Sequence, residues 1–335
     1  VKKAIRGRMR EIWDIPFEQI VAKEIEEFRP VFVGVSVTYR SQFLPGIWLC
    51  SWIRERFPDR RILLGGAFFG SLARETILLL QELFGPVVLG PGEKPLRELL
   101  GLPGEADIFR DPDFSGIDFD LYFAPVRVCP ISSSRGCYWK KCVFCSETQS
   151  SFRMDDPAKF HKRLERMVKR QGFRLLHFTD SAIPPAILKV LASRGAPAPW
   201  YGFVRAEPCL ADPKFVRDLA ASGCVMLELG VETPVPSLLS LLGKGINPEL
   251  LYRIVENLKE NGISLYLYLL FGLPLQGLKE CEEALFFLKK SRPDFLNASI
   301  FRLPPNAPAA RQPQLFGIQS VGERKASDFY LSFTA

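Results

Sequence analysis

From about residue 130 the chain repeats one unit: an apolar strand-like run, a loop, a helical pattern, and a glycine where that helix should stop. The runs are Arg174–Thr179 ("RLLHFT"), Trp200–Val204, Val225–Val231 ("VMLELGV"), Ile263–Phe271 ("ISLYLYLLF") and Phe295–Phe301. Asp156-Pro157, Asp212-Pro213, Thr233-Pro234 and Asn247-Pro248 each offer a capping side chain followed by proline at the first helical position. Gly172, Gly195, Gly223 and Gly262 stand at the expected helix ends. Alternating strands and helices require a parallel sheet with right-handed crossovers. With the run Pro130–Ser134 counted, six units result, fewer than the eight that close a full barrel. The expectation is α/β: an open, partial (β/α)6 barrel, with its chemistry at the carboxyl ends of the strands.

The first 125 residues read as a second, doubly wound α/β unit. Val31–Val37, Arg61–Leu64 and Pro86–Leu89 are its strands, and Phe17–Phe28, Gly46–Phe57 and Ser71–Leu83 its helices. The segment "MREIWDIPFEQIV" reads as a strand entering the first of these helices. The expected organisation is an incomplete α/β domain at 1–100, a linker at 101–128, the partial barrel at 129–310 and a short tail at 311–335. A length of 335 residues, beyond the roughly 250–300 at which one core stops growing, agrees with two domains. No apolar run is long enough to span a bilayer and the N-terminus lacks an apolar signal segment, so a soluble, cytoplasmic protein is expected. The net charge of +7 is carried without a Lys/Arg block, and a solvated basic face is expected rather than a nucleic-acid partner.

Just past the first strand, "SSSRGCYWKKCVFCSE" places Cys137, Cys142 and Cys145 in a Cys-x4-Cys-x2-Cys pattern. Eight cysteines are too sparse here for a disulfide framework, so the cluster reads as metal ligands. Thiolates suit zinc or iron–sulfur clusters. Three thiolates can hold a four-iron cluster and leave one iron open to a substrate or cofactor. The alternative is structural zinc, completed by Cys129, Cys209, Cys224 or His161, although no second short ligand pair is present.

Side-chain alternation along the strands places Glu228, Gly230 and Glu232 on one face, against Leu227, Leu229 and Val231. On the neighbouring runs Tyr201, Phe203 and Arg205 share a face, and Tyr266 and Tyr268 oppose Leu265, Leu267 and Leu269. Two carboxylates, an arginine and two tyrosines then point into the lumen, where charges must be paired with each other or serve a ligand. The alternative is a structural Arg–Glu pair that plugs the barrel. His161, in a charged helical run, is expected at the surface, and His177 in the core. Tyr138 and Trp139 either shield the cysteine loop or pack against it.

A first strand, this cysteine triplet with Phe144 before its last member, and a partial barrel resemble the radical S-adenosylmethionine superfamily over about residues 130–305. The resemblance implies that Cys137, Cys142 and Cys145 hold a four-iron four-sulfur cluster whose open iron is chelated by S-adenosylmethionine. An electron from a donor such as flavodoxin or ferredoxin would then release a 5′-deoxyadenosyl radical that abstracts hydrogen from a small-molecule or peptide substrate. It also implies cofactor contacts from Asp180 in "HFTDS", Arg205 in "YGFVRAE", Glu228 and Glu232 in "LELGVET", and Tyr266 on the strand leading to "FGLP". The usual spacing has three residues between the first two cysteines; the fourth here, Lys140 or Lys141, is expected to bulge outward.

The N-terminal unit is similar to the cobalamin-binding module of many such enzymes, with Ser36 and Thr38, the pair Gly65-Gly66, and a Gly90–Glu93 turn at the corresponding places. Cobalamin is therefore a candidate cofactor and methyl transfer a candidate reaction. The module's Asp-x-His-x-x-Gly element is absent and no histidine precedes residue 161, so no imidazole from this unit could ligate cobalt. The chain reads as a fragment or as a degenerated module. Two other functions compete: a methylthiolating RNA-modification enzyme, and a non-catalytic, zinc-stapled binding protein.

Overall fold

A computed structural model describes residues 14–104, 108–322 and 330–335 of the chain. It divides into two compact units, Val1–Ile108 with Glu323–Tyr330, and Phe109–Gly322 with Leu331–Ala335. The strand expected at 9–13 lies outside the described residues.

In the first unit α1 (Asp14–Phe28), β1 (Phe32–Ser36), α2 (Phe43–Arg56), β2 (Arg61–Gly65), α3 (Arg74–Phe84) and α4 (Glu93–Leu99) follow in order. β1 and β2 pair in parallel from Phe32↔Arg61 to Ser36↔Gly65. The expected third strand at Pro86–Leu89 is instead a single bridge, Leu64↔Val87. Pro86 has no N–H to give a ladder, and Gly90, at φ +82°, turns the chain immediately afterwards. Ile47, Cys50, Ile53, Leu64, Phe69 and Leu80 are buried between this short sheet and its helices.

The second unit is a six-stranded parallel sheet of β3 (Val128–Ile131), β4 (Leu175–Phe178), β5 (Trp200–Val204), β6 (Cys224–Glu232), β7 (Ser264–Phe271) and β8 (Phe295–Ile300). Each strand pairs with the one before it in the chain, and β3 and β8 are the two edges. The crossovers are α5 (Pro157–Gln171), α6 (Pro185–Arg194), α7 (Pro213–Ala221), α8 (Pro236–Leu241) with α9 (Pro248–Glu260), and α10 (Leu278–Ser291). Leu227, Leu229, Leu265 and Leu267 are fully buried on the helix side of the sheet. Each such leucine contributes roughly 1.5–3 kcal/mol relative to leaving it in water.

Local punctuation behaves as the residue types require. Asp156, Asp212 and Asn247 accept from the backbone N–H of Lys159, Lys214 and Leu250, each ahead of a proline at the first helical position. The fourth expected cap is displaced. Thr233 accepts from Val235 N, but α8 opens two residues later, behind Val235 and at Pro236. His161 is a second correction: it is buried, with Nε2 2.8 Å from Gly195 O, because the period of α5 puts it beside buried Phe160 and Leu164. Phe114 and Phe119, in the stretch read as linker, pack edge-on against Phe173. In the tail, Leu331 bridges to Leu303 and Phe333 packs on Phe301.

Candidate functional site

The cysteine loop leaves the sheet at the end of β3. Its neck is closed by an antiparallel pair, Ser134↔Met154 and Arg135↔Arg153. Asp180, just past β4, fastens that neck: its buried carboxylate accepts from Ser133 N, from Ser133 Oγ at 2.8 Å and from Ser134 Oγ. Burial pushes the Asp180 carboxyl up, and these bonds oppose the shift. Arg163 of α5 reaches Ser132 O at 3.0 Å while pairing with Asp155 at 3.1 Å. The expected cofactor contact at Asp180 is thus a side chain engaged by the loop itself.

The body of the loop is seated on the segment between α8 and α9. Trp139 Nε1 donates to Gly243 O at 2.7 Å, and Val143 N donates to Leu242 O at 3.1 Å. Gly243 and Gly245 have positive φ, and a Cβ on either would overlap Lys141 O or the Trp139 ring. Only glycine supplies both that backbone conformation and that closeness. The bulging residue is Lys140, at φ +55° and exposed. Val143 and Phe144 pack on a separate apolar cluster that includes Val235, Leu238, Leu242 and Phe301.

Arg205, at the end of β5, is 4% exposed and joins these parts. Its guanidinium lies 3.8 Å from the Trp139 ring centre and donates to Lys244 O at 2.6 Å, Glu207 Oε1 at 3.2 Å and Cys142 Sγ at 3.7 Å. Tyr138 OH also donates to Glu207, at 2.8 Å. Lys244 Nζ pairs with Glu232 at 3.2 Å. Glu232 sits where the β6–β7 register shifts, at φ +66°, a bulge that redirects its side chain. An Arg–Glu pair, the alternative to a ligand role, is present, but it joins Arg205 to Glu207 rather than to Glu228 or Glu232.

The three thiols lie within electrostatic reach of one another. Burial pushes Cys145 up to about 11, and raises Cys142 against the pull of Lys244 and Arg205. Among the described residues no three His, Cys, Asp or Glu side chains converge closely enough to share one metal ion. Of the candidate fourth ligands, Cys129 and Cys224 are core residues and His161 is held by Gly195, whereas Cys209 is half-buried within electrostatic reach of Glu207. A four-iron cluster holds its cysteine sulfurs farther apart than one ion does. Three soft donors beside two buried cations fit such an anionic cluster better than zinc.

Below this layer the lumen is aromatic. His177 stacks on Tyr201 (4.5 Å, 7°) and Tyr266 on Tyr268 (4.8 Å, 26°), while Phe203 meets Tyr268 edge-on at 5.3 Å. Tyr268 OH donates to Glu228 at 3.0 Å. His177 is thus half-buried on the luminal face rather than in the core. In the first unit, exposed Ser36 and Thr38 and half-buried Gly65 and Gly66 gather at the carboxyl ends of β1 and β2, and half-buried Glu93 opens α4. Thr38 N donates to Gln42, and Val37 N to Gly65 O.

Sequence reasoning missed Lys244, the second buried cation. Its signal was "GKG", two glycines around one lysine, which is interpretable only once the cysteine loop is seen resting on them.

The pattern that describes the Radical SAM superfamily matches residues 131–288. The chain is 25% identical over 228 residues to the anaerobic magnesium-protoporphyrin IX monomethyl ester cyclase of Rubrivivax gelatinosus, covering 65% of this chain and 40% of that protein. It is 22% identical over 330 residues to an uncharacterized methyltransferase of Pyrococcus horikoshii, covering 86% and 70%. Its fold is similar to that of TsrM, a radical S-adenosylmethionine methyltransferase of Kitasatospora setae with cobalamin and a [4Fe-4S] cluster bound: TM-score 0.72, 22% identity, 89% of this chain and 68% of that one. The chain thus spans less than half the length of the cyclase it matches. With its cysteine triplet at the head of the matched span and a parallel sheet behind it, the segment 131–288 carries a radical S-adenosylmethionine domain.

Proposed function

We propose that the chain is an enzyme that holds a four-iron four-sulfur cluster on Cys137, Cys142 and Cys145, and cleaves S-adenosylmethionine reductively to begin a radical reaction on a small molecule. The observation that carries this reading is the cysteine loop, fastened to the strand ends at its neck and its body, with Arg205 and Lys244 buried against it. Held by these cysteines, such a cluster would supply one-electron reduction of S-adenosylmethionine to methionine and a 5′-deoxyadenosyl radical, with a flavodoxin- or ferredoxin-type protein as the electron source. The chain's own residues have distinct tasks. Arg205 and Lys244 hold positive charge against the thiolates, and Trp139 and Phe144 keep water from the loop. Glu232, oriented by Lys244, presents a carboxylate at the strand end. Asp180 positions the neck.

The first unit supports the finer reading of cobalamin-dependent methyl transfer to an unactivated carbon or phosphorus. Ser36 and Thr38 offer exposed hydroxyls at one sheet end, beside Gly65 and Gly66, whose missing side chains let the backbone there pack against Val37 and Val88. A corrinoid held there would take no imidazole from this unit. Among the described residues no helix is long and apolar enough to cross a membrane, which is compatible with a cytoplasmic setting that keeps these thiols reduced.

The test is anaerobic purification, reconstitution with iron and sulfide, and addition of S-adenosylmethionine with dithionite. The expected result is a brown protein that forms 5′-deoxyadenosine, and retention of a corrinoid spectrum tests the methyl-transfer reading. A colourless protein with stoichiometric zinc overturns both.

A further inference from the structure

Glu207, Glu232 and Glu228, on or just past β5 and β6, differ in how they are partnered. Glu207 has Arg205 and Glu232 has Lys244, both in the layer beside the cysteines. Glu228 stands four residues before Glu232, about 13 Å along a strand, and its hydrogen-bond partner is the Tyr268 hydroxyl. No ion pair involves Glu228 among the described residues. A carboxylate has about four acceptor sites, and one donor leaves most of them open. Around Glu228 are ring faces: His177 on Tyr201 nearly parallel, Tyr266 on Tyr268 nearly so, and Phe203 edge-on. These side chains are half-buried, whereas the leucines on the opposite face of the same strands are fully buried. Phe295, against Tyr266 at the edge strand β8, is 54% exposed. The face is therefore accessible, apolar, flat-walled and singly charged.

We propose that this luminal face is the substrate subsite, and that it takes a flat aromatic compound carrying an N–H or protonated nitrogen that donates to Glu228. The inference rests on the radical-enzyme reading only in naming the ligand a substrate; recognition itself follows from the rings and the carboxylate. Ring faces favour a π system and a cation over a saturated or anionic ligand of the same size. Glu228 and Tyr266, which the sequence assigned to the cofactor, belong on this account to the substrate.

The test is anaerobic titration of the reconstituted protein, without S-adenosylmethionine or dithionite, with three probes: 2-naphthylmethylamine, cyclohexylmethylamine and 2-naphthoate. The first is expected to bind about tenfold more tightly than either of the others, one contrast reading the ring and the other the charge. Glu228→Gln should erase the preference over 2-naphthoate, and Tyr266→Leu the preference over cyclohexylmethylamine. Either variant, if folded, suffices. Equal affinity for all three probes, no binding of 2-naphthylmethylamine at millimolar concentration, or wild-type preferences in both variants overturns the inference. So does loss of S-adenosylmethionine affinity in Glu228→Gln with probe binding unchanged, which would return Glu228 to the cofactor. If the wild type makes no 5′-deoxyadenosine but shows both preferences, the radical reading fails and the subsite stands.

Discussion

At the ends of β1 and β2, Ser36 and Thr38 are exposed and Gly65 and Gly66 half-buried, whereas at the ends of β5 and β6 Arg205 is 4% exposed and Glu232 lies against Lys244. Both places are carboxyl edges of parallel sheets. The difference is depth of burial. Among the described residues, a two-stranded sheet with one added bridge leaves its polar edge at water, where an unpaired hydroxyl costs little. Six strands and their crossovers bury the edge, and a charge removed from water must be partnered. The larger sheet therefore knits its strand ends into one network that also seats the cysteine loop.

Four substitutions test that contrast, in descending order of effect. Cys142→Ala should abolish cluster retention, with iron after reconstitution falling to background by chemical assay. Iron content near wild type would show that the loop does not depend on this thiol. Arg205→Ala leaves half-buried Glu207 without its cation and removes the buried guanidinium from Lys244 O and the Trp139 ring, and breaking such a pair costs up to about 3–5 kcal/mol. Chemical denaturation of the second unit reads that loss; a cost under 1 kcal/mol would break the proposed contrast. Trp139→Phe keeps the ring under Arg205 but removes the 2.7 Å bond to Gly243 O. It should destabilise by about 0.5–1.5 kcal/mol, with faster loss of iron to a chelator. Ser36→Ala, at an exposed strand end, should change stability by no more than about 0.5 kcal/mol while weakening any corrinoid retained on purification. A large stability loss there would mean that the small sheet's edge is as interlocked as the other.

The legible features of the chain are those set by neighbours in sequence. Asp156, Asp212 and Asn247 cap where they should because a cap needs only the next turn of backbone. The leucines of β6 and β7 are buried in alternation because the pleat has a period of two. Misreadings occur where a distant group decides. His161 lies among charged residues along the chain, yet its ring reaches Gly195 at the end of the next helix. The exception is local: Thr233 has the right residue type for a cap, but the helix opens only at Pro236, behind Val235. Strand alternation placed both Glu228 and Glu232 in the lumen correctly as to face, and could not reveal the bulge that gives Glu232 to Lys244 while Glu228 stays among tyrosines.

The sequence by itself determined the αβ order, the cysteine spacing and the face on which each strand residue falls, because periodicity and capping are local and each position carries its own signal. Only the tertiary structure decided which charges meet. Arg205 reaches Trp139 and Cys142, Lys244 finds Glu232, and the cysteine loop rests on Gly243 and Gly245, contacts between segments up to about a hundred residues apart. Such pairings are fixed by where the sheet brings strand ends together and by the cost of burying a charge alone, and neither is written in any single stretch of the chain.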